Sequence, residues 1–234
     1  MRTIILLNAK GGSGKTTLAT NIAAYYAAQG KSVVLADFDP QSSSLDWLRA
    51  RPEDRPSIRS VNAWQDGLRV RRDTDHVVVD APSGCHGTRL IALLRHAETA
   101  IIPVLPSPLD IRAARDFIDE VRGVGRIGRH DLAALGIGQP FAFLRRLFAV
   151  PTTTRVAVVA NRVRENTLAY DALYDFLDRL KIPFLTSLRD TQNYIQAAER
   201  GLGVFELAPS QVEQDTEQWQ PIIRWLNSKR SLPA

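Results

Sequence analysis

NAKGGSGKTT, residues 8–17, is the stretch that decides the fold of this 234-residue chain. It follows a short apolar run, Ile4 to Leu7, and precedes a helical pattern from Leu18 to Gln29. A strand, a glycine-rich loop and a helix N-terminus in that order form a phosphate cradle, because backbone N–H groups and the helix dipole converge on an anion. We expect Lys15 to reach the terminal phosphates of a nucleotide and the Thr16 hydroxyl to bind Mg²⁺.

Acidic side chains follow two further apolar runs, which we predict to be buried parallel strands. DFDPQ, residues 37–41, follows Ser32 to Ala36, and Asp80 follows His76 to Val79. Buried parallel strands are continuous apolar runs, and ligands gather at their carboxyl ends. Asp80 is therefore placed to orient a water molecule or a hydroxyl around Mg²⁺. For the aspartates of residues 37–41 the alternative is a cap on the helix predicted over Ser42 to Ala50.

The glycine loop departs from the usual P-loop pattern. That pattern has a glycine five residues before Gly14, where this chain has Ala9, and it has no lysine at the position of Lys10. A second lysine at the mouth of the loop resembles the deviant Walker A motif of the ParA/MinD family. The resemblance covers nearly the whole chain, since the loop, the Asp-x-Asp-Pro-Gln box and the Walker B strand occur in the family's order.

The resemblance implies a role for each matching residue. Lys10 would be the signature lysine that reaches across a dimer to the partner's nucleotide, and Asp39 would help to position the attacking water. Asn161, after a strand predicted over Arg155 to Ala160, would read the adenine edge with its amide. Residues 84–87 resemble a switch loop that senses the γ-phosphate. The predicted nucleotide-binding residues are Lys10, Gly11, Gly12, Ser13, Gly14, Lys15, Thr16, Thr17, Asn161 and Arg162; the predicted catalytic residues are Lys10, Lys15 and Asp39; the predicted metal ligands are Thr16, Asp39 and Asp80.

The strand pattern favours a single α/β domain over residues 1–234, and the resemblance implies a doubly wound, mostly parallel sheet with helices on both faces, of the deviant-Walker P-loop NTPase type. A hydrophobic content of 44% suits one large core. Residues at about 123–154 exceed what a direct crossover needs, so we predict an insertion there. Its segment FAFLRRLF, residues 141–148, is similar to a MinD-type membrane-targeting tail, although a core helix or part of a dimer face is favoured.

Composition limits the compartment and the partners. The single cysteine, Cys85, excludes an intrachain disulfide framework, and no apolar run approaches the roughly 20 residues that span a bilayer. The first predicted strand begins almost at once, so we expect no signal peptide and a cytoplasmic protein. The net charge of +5 favours a polyanionic partner, with ordinary solvated charge as the alternative. The candidate DNA contacts are Arg145, Arg146, Arg189, Arg200 and Arg224.

The resemblance implies a ParA-like ATPase that converts ATP to ADP and phosphate, with two subunits sandwiching two Mg·ATP. A ParB-like or cargo adaptor protein would stimulate hydrolysis, and the dimer would position or segregate a plasmid, a chromosome region or a protein cargo on the nonspecific DNA of the nucleoid. A MinD-like membrane-associated ATPase and a P-loop metabolic ligase are the alternatives. An electron carrier like the nitrogenase iron protein is excluded, because a cluster shared by two chains needs at least two cysteines from each.

Overall fold

A computed structural model describes residues 1–124 and 154–233 of the chain. The insertion predicted at about 123–154 lies almost wholly outside these residues, and so do two of the candidate DNA contacts, Arg145 and Arg146. None of the helices in the described ranges combines the length and the apolar character that crossing a membrane requires.

Seven strands of the described residues form one parallel sheet. They are β1 (Arg2–Leu6), β2 (Val33–Asp37), β3 (Arg59–Asn62), β4 (His76–Asp80), β5 (Thr99–Val104), β6 (Arg155–Val163) and β7 (Phe184–Arg189). Their order across the sheet is β3-β2-β4-β1-β5-β6-β7, and each neighbouring pair is parallel. The predicted doubly wound α/β fold is therefore confirmed.

Helices join the strands and cover the sheet. They are α1 (Lys15–Ala28), α2 (Ser43–Arg49), α3 (Ala63–Asp66), α4 (Gly87–Leu94), α5 (Pro108–Val124), α6 (Leu168–Asp178), α7 (Asn193–Glu199) and α8 (Pro209–Leu226), with a short 3₁₀ helix at Val204–Glu206. Because successive side chains of a strand point to opposite faces, each strand feeds two cores. Ile5 of β1 packs in the core shared with α4, α5 and α6, whereas Ile4 and Leu6 pack in the core shared with α1, α7 and α8.

The sheet order brings the acidic strand ends beside the glycine loop. The last residue of β1, Leu6, is in register with Asp80, and Asp80 is in register with Asp37 on its other side. The chain winds outward from β1 in both directions, so the loop after β1 lies at the point where the strand order reverses. In open α/β sheets, ligands bind in the crevice at this point.

Segment 201–206 is fixed against α2 by a buried ion pair. Arg51 Nη2 lies 2.8 Å from Glu206 Oε1, and the two side chains are only 5% and 6% exposed. Arg51 Nη1 also donates to the Gly201 carbonyl at 3.0 Å, and the Trp47 indole donates to the Leu202 carbonyl at 3.2 Å. The C-terminal end of α2 and the start of the final segment therefore form one rigid unit.

Replacing Arg51 with alanine should destabilise the protein by about 3–5 kcal/mol, because it leaves the Glu206 carboxylate buried without its partner. Arg49→Ala is the matched control: its ion pair with Asp46 is 74% and 63% exposed, and such pairs contribute less than about 1 kcal/mol. Urea denaturation of both variants measures the difference. Equal losses of unfolding free energy would contradict the structural role given to the Arg51 pair.

Candidate nucleotide-binding site

The glycine loop between β1 and α1 is tied to its neighbours through Asn8. The Asn8 side chain donates to the carbonyl of Pro103 in β5 and accepts the N–H of Lys10 at 3.0 Å. Helix α1 begins at Lys15, three residues earlier than predicted, so Lys15, Thr16 and Thr17 form its first turn. Backbone N–H groups in a first turn have no partner within the helix, which leaves them free for an anion.

Gly14 is the position where the loop needs a glycine. Its φ is 96°, and a Cβ built on it would lie 2.0 Å from Nδ2 of Asn161. That amide donates to the Ser13 carbonyl at 2.8 Å, and Asn161 is buried. Asn161 therefore braces the loop from β6 with part of its amide. Its predicted contact with the adenine edge stays a prediction.

Lys15 is buried inside the loop. Its Nζ donates to the Lys10 carbonyl at 3.1 Å, and the residue is 6% exposed. Burial lowers the pKa of this ammonium, while the nearby carboxylates of Asp80 and Asp39 oppose the decrease. A phosphate oxygen would give the ammonium the counter-charge that the loop carbonyl supplies only in part.

Lys10 points away from the cradle that holds Lys15. Its Nζ lies 3.4 Å from Oδ1 of Asp110, in the first turn of α5, and its side chain is 38% exposed. Asp110 is in turn bonded to Ser107. The sequence pattern gives no signal for this role of Asp110, because the pair joins positions 100 residues apart in the chain.

Asp80 supplies the chemistry expected of a metal ligand. Burial, helped by the charges of Asp37 and Asp39, raises its pKa to about 7, although the Thr16 hydroxyl bonds to it and Lys15 lies near. Its Oδ1 is buried without a hydrogen-bond partner. An orphaned carboxylate oxygen beside a threonine hydroxyl fits a divalent cation.

The predicted Mg²⁺ ligands fit an ion that arrives with its nucleotide. Within residues 1–124 and 154–233, no group of three or more His, Cys, Asp or Glu side chains is arranged to hold a metal unaided. Mg²⁺ is usually bound through one or two carboxylates together with phosphate oxygens and water. Thr16 and Asp80 would hold it from the protein side, and the assignment of Asp39 as a third ligand stays a prediction.

The two aspartates of the DFDPQ segment do different work. Asp37 is fully buried, and its carboxylate accepts the N–H and the hydroxyl of Ser44 at the start of α2. Asp39 is half-buried and accepts only the Gln41 N–H, at 2.9 Å, among the described residues. Asp37 therefore caps the helix, as the alternative interpretation has it. Asp39 keeps one carboxylate oxygen that can accept a hydrogen bond from a ligand or a water molecule.

The segment predicted to be a switch loop, residues 84–87, lies between the glycine loop and α5. The Gly84 N–H donates to the Ala9 carbonyl at 2.8 Å, and Glu120 of α5 accepts the Gly87 N–H at 2.8 Å. The His86 ring nitrogen Nδ1 lies 2.6 Å from the same carboxylate. Residues 84–87 are therefore hydrogen-bonded both to the glycine loop and to α5, so a shift of this segment near the phosphates would also act on α5.

The remaining predicted arginines lie in different surroundings. Arg162 has a left-handed φ of 54° and an exposed side chain 3.5 Å from Asp190. Arg189 is bonded through its guanidinium to buried Asp215 at 2.6 and 3.0 Å, which neutralises its charge and makes it a poor phosphate contact. Arg200 and Arg224 are exposed and lie outside the nucleotide site.

The fold and the loop define a P-loop nucleotide-binding protein. The chain matches the CobQ/CobB/MinD/ParA nucleotide binding domain over residues 4–204, and it belongs to that family. It is 28% identical over 212 residues to the maintenance of carboxysome distribution protein A of Halothiobacillus neapolitanus, covering 88% of this chain and 87% of the relative. A stretch of 53 residues is 53% identical to the chromosome-partitioning ATPase Soj of Thermus thermophilus, covering 23% of this chain and 21% of the relative.

Solved structures agree with the fold. The MinD cell division protein of Aquifex aeolicus superposes with a TM-score of 0.66 at 19% identity, covering 97% of this chain and 96% of that one. An ATP complex of McdA from Cyanothece gives a TM-score of 0.61 at 17% identity, covering 95% and 96%. At these identities the likeness establishes the fold alone.

Gly14→Ala should lower the stability of the nucleotide-free protein by at least about 1–3 kcal/mol, because it adds backbone strain and a clash with Asn161. Gly11→Ala is the matched control: it has no positive φ, and its Cβ would meet the Ser83 hydroxyl at 3.4 Å, an ordinary contact. We expect it to change stability by only about 0.5 kcal/mol. Thermal melts without nucleotide measure the difference. A Gly14→Ala protein as stable as the wild type would contradict the close packing of Asn161 against the loop.

Proposed function

We propose that this chain is an ATPase whose ATP-driven dimerisation and hydrolysis position or segregate a cargo on nonspecific DNA. The observation that carries the proposal is the separation of the two loop lysines. Lys15 is buried facing Asp80 and Asp39, whereas Lys10 is partly exposed and paired with Asp110 at the mouth of the loop. A lysine in the second place suits contact with a nucleotide held by another subunit.

Hydrolysis would use the groups that converge on the loop. Lys15 and the first-turn N–H groups of α1 would hold the phosphates, so the charge that develops in the transition state meets donors already in place. Mg²⁺, held by Thr16 and Asp80, would neutralise phosphate charge when bound. Asp39 would orient the attacking water, because its carboxylate is half-exposed on the same side of the site.

Dimerisation would require Lys10 to exchange partners. Lys10 is 38% exposed in its pair with Asp110, which is 17% exposed, so solvent reaches the lysine and a phosphate in a second subunit would compete for it. Two such lysines would close a symmetric dimer over two nucleotides. Hydrolysis would remove the γ-phosphate that Lys10 contacts in the partner subunit. Lys10 would then return to Asp110, and the two subunits would separate.

The relatives support a positioning role and name two kinds of cargo. One bears the name of carboxysome distribution and another that of chromosome partitioning. A ParB-like or cargo adaptor protein that stimulates hydrolysis, and a location on the nucleoid, belong to the same proposal. The cargo itself would be selected by surfaces outside the nucleotide site.

Lys10→Ala should retain ATP binding yet lose ATP-dependent dimerisation, because its ammonium acts on the partner's nucleotide. Lys15→Ala should lose ATP binding itself, since no other lysine of the loop faces the carboxylates. Binding of a fluorescent ATP analogue and light scattering with a nonhydrolysable analogue separate the two effects. A Lys10→Ala protein that dimerises like the wild type would contradict a contact between Lys10 and the partner's nucleotide.

Asp39→Ala should bind ATP and dimerise but hydrolyse it at least about 100-fold more slowly, because orientation of the water acts mainly in the transition state. The trapped dimer should remain on its surface longer than the wild type does. Phosphate release under saturating Mg·ATP gives the rate. Turnover at the wild-type rate would leave Asp39 with a structural role only.

DNA binding should require ATP, ignore sequence and weaken steeply with salt. Within the described residues, Arg200 and Arg224 have no ion-pair partner, so the double alanine variant should reduce the slope of log affinity against log salt by about 0.9 for each lost phosphate contact. Arg49→Ala, whose guanidinium is paired with Asp46, is the control. Retention is measured on DNA and on anionic liposomes with ATP. Salt-resistant liposome binding without any DNA shift would favour a membrane-associated ATPase instead.

A further inference from the structure

We infer that Asp37 is a positioning residue for Asp39, acting as a strut between the end of β2 and the start of α2. The inference rests on the proposed function, since it concerns the residue that would orient the attacking water. It starts from a contrast between two buried carboxylates in register on adjacent strands, Asp37 and Asp80.

The two carboxylates differ in what occupies their oxygens. Asp80 leaves Oδ1 buried and without a partner, open toward a cation. Asp37 leaves neither oxygen open: Oδ1 accepts the Asp39 N–H at 2.8 Å, and Oδ2 accepts the Ser44 N–H at 3.1 Å and the Ser44 hydroxyl at 2.6 Å. Three donors on one buried carboxylate fix its orientation into the protein. Asp37 therefore holds the backbone of residues 39–44 in place, whereas Asp80 keeps one oxygen for a ligand.

The bonds of Asp37 fix both ends of the segment that carries Asp39. One bond holds the backbone of Asp39 itself, and the other two hold Ser44, the second residue of α2. Between them the chain makes a tight turn, in which the Ser42 N–H donates to the Asp39 carbonyl at 2.9 Å and Ser42 takes a left-handed φ of 53°. The conformation of the segment depends on an anchor outside it.

Asp37 also replaces a missing helix cap. Ser42 stands at the N-cap of α2, but its side chain makes no capping bond. Instead, the Ser44 N–H, which has no partner within the helix, donates to the carboxylate of Asp37 at the end of β2. This carboxylate lies at the positive end of the helix dipole. Both the strand end and the helix start are thereby fixed to one carboxylate.

The opposite end of α2 is fixed as well. The buried Arg51–Glu206 pair holds it to segment 201–206, and the Val204 N–H of that segment donates to Asn21 of α1. Helix α1 begins in the glycine loop, so the strut closes a rigid path from Asp39 through α2 back to the phosphate cradle. Preorganisation of this kind affects the transition state, because misplacement of a catalytic group by about 1 Å can slow a reaction about 100-fold.

Ser44→Ala tests the strut without removing a charge. It deletes the hydroxyl bond to Asp37 and leaves Asp39 intact; Ser43→Ala, at the exposed neighbouring position, is the matched control. We expect Ser44→Ala to lower kcat by about 10-fold with KM for Mg·ATP and nucleotide affinity unchanged within about 2-fold, the pattern of an interaction made only in the transition state. Ser43→Ala should behave like the wild type.

Asp37→Asn is the second variant and should lower kcat by more than Ser44→Ala, because the amide has one accepting oxygen and must lose the bond either to the Asp39 N–H or to both Ser44 donors. A kcat within 2-fold of the wild type for Ser44→Ala, or a rise in KM at constant kcat, overturns the inference even if melting temperatures fall. Asp39→Ala in the same assay separates the two claims. If Asp39→Ala is slow while Ser44→Ala is fast, only the strut fails; if Asp39→Ala keeps wild-type turnover, the proposed catalysis itself fails.

Discussion

The phosphate loop is held in shape from outside itself, and the rest of the site depends on that. Three neighbouring strands are each joined to it by one hydrogen bond: Asn8 of the loop donates its amide to the Pro103 carbonyl of β5, Asn161 of β6 donates to the Ser13 carbonyl, and the Gly84 N–H after β4 donates to the Ala9 carbonyl. The last two bonds satisfy loop carbonyls, and none of the three uses an N–H group of the first turn of α1. A loop that must present donors to an anion is best supported through its acceptors.

The charges of the site are arranged so that the protein alone is incompletely balanced. Lys15, Asp37, Asp39 and Asp80 lie close together, with one ammonium against three carboxylates. Burial raises the pKa of Asp80 to about 7, and the neighbouring charges of Asp37 and Asp39 act in the same direction. A phosphate would accept hydrogen bonds from the free N–H groups of α1, and a divalent cation would balance the excess negative charge of the carboxylates. The site is complete only with its ligand present.

The fold could be predicted from the sequence because the strands β1, β2, β4 and β5 are almost wholly buried on both faces and are therefore short apolar runs in the sequence. The residues of the glycine loop and Asp80 lie where that pattern placed them. Strand β6 continues through Asn161 to Val163, whereas its apolar run predicts an end at Ala160, because polar residues at the carboxyl end of a strand can still pair with the neighbouring strand. Pairs such as Lys10 with Asp110 have no periodic signal, since they join residues far apart in the chain.

Net charge is a weak guide to whether a polyanion would bind this protein, and the ion pairs explain why. The chain carries an excess of +5, yet two of its arginines are held by buried carboxylates: Arg51 by Glu206 and Arg189 by Asp215. A guanidinium bonded to a carboxylate contributes little field at a distance and would have to break that bond to reach a phosphate. Arg189 illustrates the point, because sequence alone ranked it with Arg200 and Arg224 although only the latter two are exposed and unpaired among the described residues. A polyanion therefore meets fewer positive groups than the composition suggests, and a dimer that presents two copies of a small patch would gain affinity that one subunit lacks.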